Sequence, residues 1–157
     1  MEIKEGYMPF MGYQTYYRIV GKTEEGKSPI ILLHGGPGST HNYFELLDRV
    51  AESGRTVIMY DQLGCGNSFV EGHPELWTPE TWLNELCVLI DYLHIDHFHL
   101  LGQSWGGMLA IIYLIEKQAK GVKSAILSST LSSSKLWASE QHRMIKFLPQ
   151  FGIRNSA

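Results

Sequence analysis

The sequence predicts an α/β fold, in which a mostly parallel sheet with helices on both faces follows an N-terminal antiparallel hairpin. The first observation behind this prediction is alternation: from residue 30 to residue 127, short apolar runs alternate with segments that have helical apolar spacing. The second is that the apolar runs end in polar or glycine-rich clusters, as strands buried on both faces do before their loops. Such an order implies right-handed crossovers between parallel strands.

The strands are predicted from composition and alternation. Residues 7–20 are rich in Tyr, Phe, Met and Thr, alternate in part and are interrupted by Pro9 and Gly12, which predicts two short strands joined by a tight turn. Four apolar runs predict the buried parallel strands at residues 30–33, 56–60, 97–101 and 122–127.

Helical spacing of apolar residues marks the connections between these strands. The first predicted helix begins after caps near Thr40, and the second after Thr78, where a proline and an early acid follow the cap. The third covers residues 105–117 and is entered directly through glycines. A further helix is predicted from Lys135 to near Pro149.

Composition limits the classes of protein and partner. A chain of 157 residues with 44% hydrophobic and 18% charged residues suits one globular domain. With a net charge of −3 and no basic stripe, nucleic acid is not an expected partner. No apolar run approaches the roughly 18 residues that span a bilayer, so no membrane association is expected.

The cysteine content indicates a reducing compartment. Cys65 and Cys87 are too few for a disulfide scaffold and lack the Cys and His spacing of a zinc site. We therefore expect a cytoplasmic protein with no metal and no cofactor.

The segment from Gly102 to Gly107 has the pattern G-x-S-x-G between a predicted strand and a predicted helix, which is the setting of a nucleophile elbow. Glycines two residues either side of Ser104 permit a sharp turn, and the next N–H then faces the developing oxyanion. We predict Ser104 as the nucleophile, in a sparsely allowed backbone conformation, and the Trp105 N–H as an oxyanion donor. The motif alone leaves open a structural or phosphate-binding serine.

A glycine-rich turn at residues 34–38 follows the first parallel strand, where the second oxyanion donor of such sites lies. We predict that the N–H of Gly36 is this donor, and that Gly35, Gly36 and Trp105 contact the substrate. The alternative is a plain glycine turn. His34 is interpreted as a hydrogen-bonded neighbour, because its place before the turn is wrong for a general base.

A third loop, residues 61–68, leaves the same edge of the sheet. Asp61 is expected to cap or brace this loop, and Cys65 to lie near the pocket without being the nucleophile. The remaining histidines are interpreted as structural or solvated, with a small reservation for His142 in the final helix. They are His41, His73, His94, His97, His99 and His142.

Three stretches together, HGGPGSTHNYF at 34–44, YDQLGCGNS at 60–68 and GQSWGGMLA at 102–110, resemble the proline iminopeptidase (prolyl aminopeptidase) family of α/β-hydrolases. The resemblance spans nearly the whole chain. It implies the α/β-hydrolase fold, Ser104 as the acyl-accepting nucleophile, and an oxyanion hole from the Trp105 and Gly36 amides. It also implies release of N-terminal proline, or a similar residue, from short peptides.

The resemblance further implies parts that these residues do not supply. Members of the family continue with a helical cap and with last strands that carry a catalytic Asp and His, which we expect beyond Ala157. Residues 1–134 are thus interpreted as the N-terminal part of the core, and residues 135–157 as the beginning of the cap. Without a base, the chain alone is expected to have little activity, and its exposed sheet edge to favour self-association.

Two other functions remain open at the level of sequence. An amino-acid amidase or esterase would use the same machinery, because the cap decides the leaving group. A catalytically silent binding module of the same fold would have lost its base. The expected ligand is a short peptide or an amino-acid amide.

Overall fold

The structure, a computed structural model, describes residues 1–148 and contains a six-stranded sheet. In chain order the strands are β1 (Ile3–Phe10), β2 (Tyr13–Val20), β3 (Ile30–Leu33), β4 (Val57–Tyr60), β5 (Phe98–Gln103) and β6 (Val122–Ser128). Their order across the sheet is β1-β2-β4-β3-β5-β6. β1, β2 and β4 pair antiparallel, and the pairs β4-β3, β3-β5 and β5-β6 are parallel. The predicted hairpin and parallel sheet are confirmed.

The hairpin begins earlier than the sequence pattern predicted. β1 starts at Ile3, which pairs with Val20, whereas the alternation in the sequence indicated a start at residue 7. Residues 3–5 are exposed because β1 is an edge strand with solvent around its outer end. Apolar alternation is therefore not needed there, and the pattern does not reveal the start of the strand.

Four longer helical segments connect or follow the strands: a 3₁₀ helix at His41–Ser53, α1 (Pro79–Tyr92), α2 (Trp105–Glu116) and α3 (Ser134–Ile145). Thr78 caps α1 as predicted, since its side chain accepts a hydrogen bond from the Thr81 N–H. The first segment is a 3₁₀ helix, not the regular amphipathic helix that its spacing suggested.

The start of this 3₁₀ helix is held by a contact that the local sequence does not reveal. Thr40 makes no capping hydrogen bond with its side chain. Instead, the Asp61 carboxylate accepts the first N–H, that of His41, at 2.8 Å. A residue distant in sequence therefore fixes the start of the segment, and local spacing does not reveal it.

The sheet is covered on both faces, as predicted. Successive residues of β3 point to opposite sides, so that Ile31 and Leu33 belong to one apolar cluster and Ile30 and Leu32 to another. The first cluster contains the apolar sides of α1 and α2, and the second contains Phe44 of the 3₁₀ helix. This sandwich holds the carboxyl ends of β3, β4 and β5 next to one another.

β6 and α3 are the least covered part of the described residues. β6 pairs only with β5, and none of the α3 residues is buried. Large apolar side chains are exposed there, among them Ile126, Leu127 and Trp137. That α3 begins a helical cap stays a prediction.

The helix predicted from Lys135 is confirmed as α3, which begins at Ser134 and ends at Ile145. Its predicted end near Pro149, and the rest of the predicted cap segment up to residue 157, lie outside the described residues. Within residues 1–148, no helix combines the length and the apolarity that crossing a membrane requires.

Candidate active site

Ser104 stands alone between the last residue of β5 and the first residue of α2. Its backbone has φ 55° and ψ −119°, a sparsely populated conformation for a residue with a side chain, as the sequence predicted. Neighbouring groups hold it there: its N–H donates to the Ser128 carbonyl at 2.9 Å, and its carbonyl accepts from the Thr130 hydroxyl at 2.7 Å. The half-buried side chain is presented at the carboxyl edge of the sheet.

The glycines around Ser104 are required by close packing. A β-carbon on Gly102 would overlap the backbone of Gly106 and Gly107 at the start of α2. A β-carbon on Gly106 would overlap the carbonyl group of Leu33 in β3. Strand β5, helix α2 and strand β3 therefore approach at backbone contact distance, and the G-x-S-x-G pattern follows from this approach.

His34 is a buried structural residue beside the glycine-rich turn. Its Nε2 accepts the N–H of Gln62 at 3.0 Å, so its Nδ1 carries the proton and donates to the Gly35 carbonyl at 2.9 Å. Burial is the main cause that lowers the pKa of His34, which keeps the ring neutral. Both ring nitrogens are occupied, as expected for a hydrogen-bonded neighbour and not for a base.

The turn after β3 packs directly against Ser104. A β-carbon on Gly35 would lie 3.2 Å from the Ser104 β-carbon. Gly36 has φ +119°, a value that favours glycine. Within residues 1–148, the N–H groups of Gly36 and Trp105 have no hydrogen-bond acceptor, whereas the Gly35 N–H donates to the Tyr43 hydroxyl at 2.7 Å.

Asp61 braces the loop after β4, as predicted. One carboxylate oxygen accepts the His41 N–H and the His41 Nδ1–H at 2.8 and 2.7 Å, and the other accepts the Asn67 N–H at 2.9 Å. Burial alone raises the pKa of Asp61, but these hydrogen bonds more than offset it and leave the pKa below its usual value. Asp61 is therefore a buried carboxylate whose hydrogen bonds stabilise the loop.

Gln62 joins the three loops at the edge of the sheet. Its Nε2 donates to the His34 carbonyl at 3.0 Å, and its Oε1 accepts from the Trp105 indole N–H at 2.8 Å. Sequence reasoning did not single out this residue. The available signal was a polar amide directly after a buried strand, at the edge where Ser104 was expected.

Glu85 is a fully buried carboxyl group that sequence reasoning also missed. It accepts the Thr15 hydroxyl at 2.5 Å and the Leu63 N–H at 2.9 and 3.0 Å. Burial raises the pKa of Glu85 to about 7. Its signal in the sequence is an acidic residue on the apolar face of α1, beside Leu86 and Leu89.

Cys65 lies next to the glycine-rich turn, in agreement with the predicted placement. It shares a cavity of about 290 Å³ with Pro37 and Gly38 of the turn and with Trp77 and Trp82. Its side chain is buried, with 5% of the residue exposed, and burial raises its pKa to about 11. The group is a protonated thiol at neutral pH, which fits its exclusion as a nucleophile.

A second cavity lies at the edge of the sheet opposite Ser104. It has a volume of about 710 Å³ and is lined by Pro29, Thr56 and His97, which precede β3, β4 and β5. It therefore opens at the amino ends of the strands, opposite Ser104. We place the candidate site at the carboxyl ends, where open α/β sheets bind ligands.

No histidine within residues 1–148 donates or accepts a hydrogen bond at the Ser104 hydroxyl. His142 is exposed and its Nδ1 bonds to the Ala138 carbonyl of its own helix. His41 forms a buried pair with Asp61, but its free Nε2 lies 3.7 Å from a Glu45 carboxylate oxygen. Residues 1–148 thus bring Ser104 and Trp105 next to the turn that contains Gly35 and Gly36, and none of these described residues is a base at the serine hydroxyl.

Comparisons with known proteins agree with this geometry. The family model described as alpha/beta hydrolase fold matches residues 28–155. A proline iminopeptidase of Clostridioides difficile (strain 630) is 67% identical over 150 residues, which are 96% of this chain and 51% of that protein. One of Lactobacillus acidophilus is 64% identical over 151 residues, or 95% of this chain and 51% of the relative. The chain thus spans about half the length of the curated relatives it matches.

Solved structures give the same result. The crystal structure of VinJ superposes with a TM-score of 0.86 at 38% identity, covering 94% of this chain and 50% of VinJ. The proline iminopeptidase of Mycobacterium smegmatis superposes with a TM-score of 0.85 at 34% identity, covering 93% of this chain and 50% of that one. The predicted resemblance is confirmed.

Proposed function

The chain belongs to the alpha/beta hydrolase fold family, and on that premise we propose that it carries the nucleophile and oxyanion hole of a serine peptidase. The proposed reaction of the whole protein is release of N-terminal proline, or a similar unblocked residue, from short peptides. Relatives named proline iminopeptidase, 67% and 64% identical over nearly the whole chain, support this substrate class.

The observation that carries the proposal is the combination of a strained Ser104 with two N–H groups that lack acceptors. In the proposed reaction, the Ser104 oxygen attacks the carbonyl carbon of the first residue, and the carbonyl oxygen becomes an oxyanion. The Gly36 and Trp105 N–H groups donate to that oxyanion, and α2 begins at the same point with its positive dipole end. The base takes the serine proton and gives it to the peptide amine, which leaves. Water then attacks the acyl group, loses a proton to the base, and Ser104 regains a proton as the amino acid is released.

A positioned base is the remaining requirement of this chemistry. Neither ring nitrogen of His34 is free, and the free nitrogen of His41 faces Glu45. We propose that the catalytic Asp and His lie beyond Ala157, as the resemblance implies. Ser104 would then meet its base only in the longer protein.

The substrate contacts are proposed to come from backbone at the edge of the sheet. Gly35 and Gly36 line the turn beside Ser104, and Trp105 follows it, so all three flank the reacting carbonyl. The cytoplasm is the proposed location, because Cys65 and Cys87 are both unpaired and a reducing compartment keeps thiols in that form.

A chimera tests the proposal. Residues 1–148 would be fused to the remaining C-terminal half of the C. difficile relative, and hydrolysis of a prolyl-arylamide and of proline amide would be measured. We expect turnover of the arylamide that Ser104→Ala abolishes. Because the cap and the base of the chimera come from the relative, a folded chimera that turns over neither substrate would show that residues 1–148 lack a working nucleophile or oxyanion hole. The same two substrates on the whole protein separate the peptidase, which prefers the arylamide, from the amidase, which prefers proline amide, and from a silent module, which turns over neither.

A further inference from the structure

One hydroxyl group joins the two halves of the candidate site. The Tyr43 hydroxyl accepts the Gly35 N–H at 2.7 Å and donates to the Gln103 side-chain oxygen at 3.0 Å. Gly35 belongs to the turn after β3, and Gln103 directly precedes Ser104. Tyr43 therefore connects the oxyanion turn to the elbow from a third element, the 3₁₀ helix.

The contact decides which amide of the turn remains available. Gly35 and Gly36 follow one another in the turn that packs against Ser104, and the Gly35 N–H is already bound by Tyr43. The Gly36 N–H has no acceptor within residues 1–148. Tyr43 holds the N–H of Gly35, and His34 Nδ1 holds its carbonyl at 2.9 Å, so the peptide units on both sides of Gly35 are fixed. The Gly36 N–H belongs to the second of these units.

Neighbouring groups restrain the bridge on one side, and the Tyr43 residue is 39% exposed on the other. A β-carbon on Gly35 would meet the Gln103 side-chain oxygen at 2.5 Å, so the turn and the residue before Ser104 already lie in close contact. The Tyr43 ring packs on Phe44 with centroids 4.4 Å apart. Burial raises the pKa of Tyr43, so the hydroxyl keeps the proton that it donates to Gln103.

We propose that Tyr43 is a positioning residue of the oxyanion hole: its hydroxyl ties the Gly35 N–H to Gln103 and so holds the turn, from which the Gly36 N–H reaches the oxyanion, at a fixed distance from the elbow. This inference rests on the proposed function of Ser104. It deepens that function by assigning a role to a side chain that does not itself contact the reacting atoms.

The kinetic test uses the chimera with Tyr43→Phe, which keeps the ring and removes the hydroxyl. We expect kcat for the prolyl-arylamide to fall about tenfold with KM unchanged, less than the roughly hundredfold cost of deleting an oxyanion donor. A phosphonate that traps Ser104 should react slower by a similar factor. Tyr7→Phe is the matched control, since Tyr7 lies in β1 and should leave all three quantities unchanged.

A second measurement on the 157-residue chain separates this inference from the proposed function. In NMR spectra, Tyr43→Phe should shift the Gly35 and Gly36 amide signals and speed hydrogen exchange at Gly35, while Tyr7→Phe should not. Unchanged Gly35 exchange, or a kcat within twofold of the parent, would overturn the inference. If the parent chimera lacks serine-dependent turnover, the proposed function fails and the NMR result alone decides.

If Tyr43→Phe does not fold, a second variant tests the same hydrogen-bonded bridge. Gln103→Leu removes the acceptor of the Tyr43 hydroxyl and leaves the Gly35 contact in place. It should give a smaller fall in kcat, again without a change in KM. An unaltered kcat in folded Gln103→Leu would contradict the bridge.

Discussion

Gly106, in the first turn of α2, lies against the carbonyl group of Leu33 with no room for a β-carbon between them. Replacing a helical glycine by alanine normally stabilises a helix by about 1 kcal/mol. Here Gly106→Ala should instead destabilise the chain by about 3 kcal/mol, because backbone atoms of β3 or α2 must move. Urea unfolding measures the change, and a stabilised variant would show that the two elements are not in backbone contact.

The strained backbone conformation of Ser104 predicts the relative stability of two variants. Its positive φ costs roughly 1–3 kcal/mol for a residue with a β-carbon, and glycine adopts such conformations freely. We expect Ser104→Gly to be at least as stable as Ser104→Ala by urea unfolding. At Ser139, inside α3, the order should reverse, with the glycine variant about 1 kcal/mol less stable than the alanine variant. The same order at both positions would contradict a strained Ser104.

The buried Glu85 predicts a pH dependence of stability. Burial raises its pKa in the folded chain from 4.5 to about 7. Between these values the folded chain binds a proton that the unfolded chain lacks, so this contribution to stability is complete below pH 4.5 and is lost as the pH rises to 7. The change is roughly 1.4 kcal/mol for each pH unit in that window.

Glu85→Gln removes this titration and keeps the shape of the side chain. The free energy of unfolding should therefore fall less between pH 5 and pH 8 in the variant than in the parent chain. Glu52→Gln, at an exposed position of the 3₁₀ helix, is the control and should follow the parent. Parallel curves for Glu85→Gln and the parent would refute the assignment.

Cys65 should react with thiol reagents in a strongly pH-dependent way. Its raised pKa of about 11 means that the reactive thiolate grows about tenfold for each unit from pH 7 to pH 10. Mass spectrometry of the modified chain measures the rate at each pH, and Cys65→Ser should remove the corresponding adduct. In the chimera, a bulky adduct at Cys65 should slow hydrolysis, since the thiol lies beside Pro37 and Gly38.

The sequence predicted the elements that depend on local pattern. Apolar runs, the Thr78 cap and the glycines around Ser104 each act within a few residues, and the structure has them as predicted. The meeting of the loops at one edge of the sheet was predicted, but the individual side-chain contacts between distant segments were not predictable. Glu85 and Thr15 form a hydrogen bond although they are 70 residues apart in the sequence, and Tyr43 and Gln103 do so although they are 60 apart. The spacing of residues along one strand or helix therefore does not indicate either pair.

We expect the 157-residue chain by itself to hydrolyse prolyl-arylamides little or not at all. An unassisted serine hydroxyl is a weak nucleophile at neutral pH, and loss of a triad acting as a unit costs about 10⁶ in rate. Turnover that matches the chimera and that Ser104→Ala abolishes would show that a histidine within these residues acts as base.

The same chain should self-associate through β6. Within the described residues, this strand has one neighbour, β5, and it exposes Ile126 at 51%, so it offers both unpaired backbone groups and apolar surface. Ile126→Lys should lower the average molar mass in solution, because a charge at a sheet edge opposes pairing with another edge. Leu46→Lys, on the 3₁₀ helix and 83% exposed, should leave the molar mass unchanged. Equal effects of the two variants would point to general hydrophobic association, and a monomeric parent chain would refute the role of the edge.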